Sequence, residues 1–326
     1  MADDPSRMKR RGYLFAILAA LLWASGGLMA KWLMTPYGSE TAMWLVPPTG
    51  GEIDPVVLAG SRAIVAAGIL APILLILKPS LMKVRLRDLW FLAAFGIIGL
   101  AGVHFTYFKA IDQTNVSTAI LLQYLSPVIV LVLSVALLGE RFRWSLPVGV
   151  AFSILGCALV VGAFAAGGLK VSDSGLFWGL TSAVFFATYS LMGRYAVSRF
   201  NPWTLMAYGL IFASIFWIVY LGGISGVVSV VASERGSISV GYLAIFATII
   251  PFAAFLSALH YIEATKAIVT STLEPVIAGM AAYFLFVETL TPSQLVGAAM
   301  VIIAIMVIQS GPPAVASQHS EIPPAT

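Results

Sequence analysis

Apolar runs of about 20 residues recur along the chain from Gly12 to Gln309, each long enough to cross a hydrocarbon core of about 30 Å at about 1.5 Å of rise per residue. No water reaches that depth, so backbone polar groups must pair inside the spanning structure, which leaves helices or a closed barrel. Barrel strands alternate apolar and polar residues over ~10 positions. The run IVLVLSVALL, residues 129–138, does not alternate, and helices are expected. Composition agrees: 60% of residues are hydrophobic and 10% charged, against about a quarter charged in soluble domains. The longest stretch between runs, Thr35–Asp54, leaves no room for a separate soluble domain.

The spacing predicts ten spans: Gly12–Met34, Pro55–Leu77, Asp88–Phe108, Asn115–Leu138 and Trp144–Phe164, then Gly175–Val197, Pro202–Gly222, Ser239–Ile262, Ala267–Val287 and Pro292–Gln309. The first run follows Arg7, Lys9, Arg10 and Arg11 like a signal peptide. It is too long for a cleavable apolar core of 7 to 15 residues, so it reads as a retained span. With both termini cytoplasmic, thirteen Lys and Arg fall on inner segments and only Lys109, Lys170 and Arg235 on outer ones, the bias expected of cytoplasmic loops. The net charge of +4 therefore reflects loop asymmetry and predicts no nucleic-acid partner. Lys31 is expected near the outer end of its span, and Arg62, seven residues past Pro55, is expected to snorkel outward. The single Cys157 excludes an intrachain disulfide and a cysteine metal motif.

Two segments match without gaps: LSPVIVLVLSVALLGE, Leu125–Glu140, and LEPVIAGMAAYFLFVE, Leu273–Glu288, an offset of 148. A second match pairs Trp23–Ser25 and Leu28–Lys31 with Phe186–Thr188 and Leu191–Arg194, an offset of 163. The long loop Thr35–Asp54 accounts for the change of offset, since beyond it Pro55 pairs with Pro202 at 147. The expected organisation is a basic cytoplasmic N-terminus (1–11), a first five-helix repeat (12–168), a second (169–309) and a disordered cytoplasmic tail (310–326). Five is odd, so the repeats cross the membrane in opposite senses. That inverted-repeat design places a binding site at the repeat interface near the midplane and makes alternating access natural.

Pro127 and Pro275 occupy matching positions in the fourth and ninth spans. Each frees the carbonyl four residues earlier, those of Gln123 and Ser271, and a freed acceptor at membrane depth needs a helix, water or substrate as partner. Glu274 is the carboxylate placed deepest in a span. A charged carboxylate there costs on the order of 2.5 to 3.5 kcal/mol, so Glu274 requires a partner or a proton. Gln123 and Ser126 share one helix face with Tyr124 beside them; His104 and Tyr107 show the same i, i+3 spacing. Trp23, Phe186 at its repeat position, and Tyr189 supply aromatic walls. The candidate substrate-binding residues are thus Trp23, His104, Tyr107, Gln123, Tyr124, Ser126, Phe186, Tyr189, Ser271 and Glu274. A packing role competes for each of them. Gly96, Gly99 and Gly102 predict a close helix contact.

No GxxxxGK[ST], HExxH or GxSxG motif occurs, so neither an internal ATP motor nor the common hydrolytic sites are expected. No catalytic residue, metal or cofactor is predicted. The paired LxPV helices ending in Glu140 and Glu288, with the early LLWASGGLMAK segment, resemble the EamA family of the drug/metabolite transporter superfamily over nearly the whole chain. The resemblance implies an all-α integral membrane carrier of ten helices, a bacterial inner-membrane exporter of small metabolites, often amino acids. It also implies a central cavity lined mainly by spans one, three, four, six, eight and nine. The long loop 35–54 departs from that pattern. Amino acids, aromatic ones among them, are the expected substrates, with proton coupling and oligomeric state left open. The alternatives are a nucleotide-sugar or drug carrier of the same superfamily, or an intramembrane enzyme or signalling subunit using Glu274 and His104.

Overall fold

The apolar runs become helices, and their starts follow local chemistry. In the computed structural model, residues 5–34, 54–114, 116–164, 172–232, 234–286 and 291–309 are described, and among them every regular element is helical. The first two are α1 (Pro5–Met34) and α2 (Pro55–Leu77). Asp54 caps α2 by accepting the Val56 and Val57 amides at 2.7 and 3.0 Å, with Pro55 in the first turn where its missing N–H costs nothing. A long third stretch consists of α3 (Leu89–Ala94), a π-helical segment Phe95–Ala101 and α4 (Gly102–Gln113). The fourth is broken into α5 (Val116–Gln123) and α6 (Ser126–Leu138), followed by α7 (Ser145–Val160).

Next come α8 (Asp173–Ala196), capped by Ser172, and α9 (Pro202–Tyr220), capped by Asn201. The short α10 (Ser225–Ala232) precedes α11 (Glu234–Ala244), a second π segment Ile245–Ile249 and α12 (Ile250–Tyr261). Then α13 (Ala264–Ser271) breaks at Thr272 before α14 (Leu273–Phe286), and α15 (Pro292–Gln309) ends the described bundle.

Eight of these stretches are long and apolar enough to cross a membrane. The expected fifth span is shorter than the sequence suggests: α7 has 16 residues, and Gly162 at φ 75° ends it before Phe164. The expected ninth span is the broken pair α13 and α14. The helix α10 lies between two expected spans; eight residues are too few to register as one, yet it packs on α2. The expectations for the Lys31 side chain, loop 35–53, residues 165–171, Glu288 and tail 310–326 fall outside the described residues.

Packing is close where side chains vanish. A Cβ on Gly156 of α7 would sit 2.8 Å from the carbonyl oxygen of Gly297 on α15, and one on Gly297 would sit 2.6 Å from that of Gly156. Backbones therefore touch, as small residues permit between membrane helices. Gly96 likewise faces the Gly209 carbonyl of α9. The outside of the bundle is apolar: Leu21, Ile76, Val132, Leu155, Val184, Val219 and Met306 are all exposed. A soluble monomer rarely carries so continuous an apolar coat, and a multi-pass membrane protein requires it.

Both ends of the described chain lie at one face, where Lys9 Nζ donates to the Gln309 carbonyl at 2.8 Å. At this terminal face Glu140, just past α6, accepts the Ala264 amide at 2.6 Å and the Thr265 hydroxyl at 3.0 Å, capping α13 from another segment of the chain. Glu263 pairs with Lys266 at 2.9 Å, both almost fully buried, and approaches Arg143 at 3.9 Å.

Candidate functional site

A cavity of about 70 Å³ lies inside the bundle, room for a few water molecules. Trp23, Gly26 and Gly27 of α1 and Arg62 of α2 form one part of its wall; Val103, His104, Tyr107, Phe108 and Ile111 of α4 form another. Gln123 of α5, Phe186 of α8, Ala247, Phe252 of α12 and Glu274 of α14 complete it. Irregular backbone surrounds it. His104 sits just after the first π segment, Ala247 lies in the second, and Gln123 and Glu274 flank the two helix breaks. Such interruptions cluster at functional sites because they turn side chains and free backbone groups.

Arg62 does not snorkel. It is buried, and its Nη2 lies 3.1 Å from His104 Nε2 and donates to the Ala247 carbonyl at 3.3 Å, with the guanidinium carbon 5.5 Å from the Phe108 ring centre. A guanidinium only donates, so His104 Nε2 is the acceptor and the imidazole proton is assigned to Nδ1. The sequence held a clue to this. Leu58, Ala59 and Ala66 share the Arg62 face and are completely buried, and small residues at i−3 and i+4 mark a helix-packed face rather than a lipid-facing one.

Across the cavity, the Tyr124 hydroxyl lies 2.6 Å from Glu274 Oε2 and 3.0 Å from the Ser271 carbonyl oxygen. That carbonyl is the one Pro275 frees, so the broken ninth segment finds its partner on the fourth. One hydroxyl proton serves two acceptors here. A charged Glu274 takes it; a protonated Glu274 can donate to the tyrosine oxygen and release that proton to Ser271. The state of the carboxyl group is thereby linked to the backbone at the break.

Aromatic rings form the remaining wall. The Trp23 ring centre is 5.0 Å from that of Phe252 and 5.9 Å from that of Phe186, both edge-on, and His104 meets Phe252 edge-on at 5.1 Å. Of the sequence-predicted residues, Trp23, His104, Tyr107, Gln123, Phe186 and Glu274 line the cavity. Tyr124 stands behind Glu274. Ser271 bonds through its hydroxyl to the Ile268 carbonyl at 2.7 Å. Tyr189 is fully buried among Phe95, Phe252 and Phe255, and Ser126 is fully buried away from the wall. The prolines lie in the first turns of α6 and α14, as helix restarts.

These features define a class: a polytopic helical membrane protein with a small, largely apolar-walled cavity inside the bundle and the charged side chains of Arg62 and Glu274 at its wall. The model of the EamA-like transporter family matches residues 10–162 and 173–310, and the chain belongs to that family. It is 24% identical to the inner membrane transporter YicL of Salmonella typhimurium, over 92% of this chain and 95% of that protein. The aromatic amino acid exporter YddG of Ancylobacter novellus is 33% identical over 112 residues, a third of this chain and 39% of that one. A solved crystal structure shares the fold with a TM-score of 0.72 at 20% identity, covering 91% of this chain and 96% of the other. Relatives named as transporters point away from an enzyme.

Proposed function

We propose that this protein is a bacterial inner-membrane secondary carrier that exports small metabolites, amino acids and aromatic ones among them, by alternating access around the central cavity. The observation that carries this reading is the cavity itself, walled by both halves of the chain and set where the helices are interrupted. A pocket at such interruptions is how carriers bind cargo in a bilayer. Its size of about 70 Å³ suits a closed conformation, so loading requires the halves to part. Aromatic rings beside charged groups favour an amphipathic cargo, and the partial likeness to an aromatic amino acid exporter points the same way.

Ten spans in two inverted five-helix repeats, both termini cytoplasmic, fit the same reading. Among the described residues, each half holds one π segment, Phe95–Ala101 or Ile245–Ile249, and a helix restarted near a proline, Pro127 or Pro275, at matching places. Lys9 beside Gln309 is consistent with an even number of crossings. A carrier of phosphorylated cargo is less well supported, because one cation, Arg62, stands at the wall.

Counterflow in reconstituted vesicles tests the proposal. Preloaded amino acids should drive uptake of labelled amino acid, while a panel of amino acids, nucleobases and drugs that all fail to exchange overturns the carrier reading. Proton coupling is tested in the same vesicles at cargo concentrations high enough to offset weakened binding: Glu274→Gln should lose the response of net flux to an imposed pH gradient. An undiminished response would remove Glu274 from coupling.

A further inference from the structure

Among the described residues, the buried polar atoms without a partner include Trp23 Nε1, Arg62 Nε, His104 Nδ1 and Gln123 Nε2. All four belong to side chains of the cavity wall, and all four are N–H donors once the imidazole proton is placed opposite Arg62. Trp23 and Arg62 are 9% exposed and His104 is 2% exposed. A buried donor without an acceptor costs about 1–3 kcal/mol, and a buried cation whose charge nothing balances costs several kcal/mol. Arg62 makes two hydrogen bonds, both through Nη2. If it only tied α2 to α4 and the second π segment, its other donors would have partners too.

The opposite charge is nearby but not in contact. Glu274 lines the same cavity, and among the described residues no ion pair joins it to Arg62. Its Oε2 is instead held by Tyr124. A cation and an anion facing one space without touching form two poles that a bridging molecule can satisfy together.

We propose, resting on the carrier reading above, that Arg62 is the specificity-determining residue of the site. With His104 Nδ1 and Trp23 Nε1 it forms a pole for the cargo's carboxylate, and Glu274, steadied by Tyr124, forms the pole for its ammonium group. Arginine suits a carboxylate because its planar fork matches the two oxygens. One cation opposite one anion selects a molecule with one group of each sign and discriminates against a phosphate dianion. Rejection is strong because an analogue lacking its carboxylate leaves these buried donors unpaired.

The test uses the full chain in vesicles with three probes: labelled L-phenylalanine, phenylalaninamide, which lacks the carboxylate, and 3-phenylpropionate, which lacks the ammonium. L-Phenylalanine should exchange, and each single-pole analogue should compete at least about tenfold less well, since a site built for a polar group loses about 1.4 kcal/mol or more without it. Arg62→Gln should weaken L-phenylalanine at least about tenfold and erase its advantage over the amide, and Arg62→Lys should restore part of that advantage. An amide that competes as well as the parent with the unmodified protein, or wild-type preference in Arg62→Gln, overturns the pole assignment and leaves the carrier reading standing. Exchange confined to uncharged or purely cationic compounds does the same. A folded, inserted protein that exchanges nothing overturns both.

Discussion

The terminal face and the central cavity both bury charged groups, but they treat them oppositely. At the terminal face Lys266 meets Glu263, and Glu140 accepts an amide and a hydroxyl at the start of α13. The partners are supplied by the chain itself, so the cluster ties its segments together without a ligand. In the cavity Arg62, His104, Trp23 and Gln123 keep donors with no acceptor, and Glu274 has no cation in contact. Buried charge that is paired internally is structure, whereas buried charge left partly unpaired around a space is poised for a ligand. Mutations should separate the two regions, moving stability at the terminal face and transport at the cavity.

The largest loss of stability is expected from Glu263→Gln, which strands the buried Lys266 ammonium at a cost of about 3–5 kcal/mol. Thermal unfolding of the purified protein should show it, and adding Lys266→Met should recover part of the loss. A single variant that melts like the wild type would show that this cluster does not stabilise the terminal face. Glu140→Ala comes next, at about 1–3 kcal/mol for each donor left unsatisfied, and it frays the start of α13; amide hydrogen exchange at Ala264 and Thr265 should rise.

Glu274→Gln should cost only about 1 kcal/mol, the difference between a hydrogen bond to a charged and to a neutral acceptor, while the transport properties described above change. Equal losses from Glu263→Gln and Glu274→Gln would erase the distinction between the regions. The smallest effect belongs to Trp23→Phe. The ring contacts with Phe252 and Phe186 persist and an unpaired donor is removed, so melting should hold or rise slightly. Cargo affinity should fall about two- to tenfold, the worth of one hydrogen bond.

Much of this molecule is legible in local chemistry. Asp54-Pro55 and Asn201-Pro202 announce helix starts, and Pro127 and Pro275 announce restarts, because capping and the missing proline N–H act within one helical turn. Six of the ten candidate site residues line the cavity, and five of these carry a polar group, which has few places to go in an apolar span. Tyr189 and Ser126 are also polar side chains in apolar spans, yet they lie away from the wall. Arg62 turns inward rather than snorkelling; its distance from the span end permits either, and only the small residues on its face argue for the inward placement.

The sequence by itself determined that the chain is helical and membrane-spanning, where the helices start and break, and which few polar side chains are carried into the apolar region. Those properties depend on residues within a turn of one another and on run length against bilayer thickness. Only the tertiary structure decided that Arg62 meets His104, that Tyr124 reaches both Glu274 and the carbonyl freed by Pro275, and that Glu140 caps a helix 124 residues away. The physical reason is that these spans are apolar on nearly every face, so periodicity does not reveal which face turns inward. That rotation is set by contacts between distant segments, such as Gly156 against Gly297, where backbones approach because no side chain intervenes.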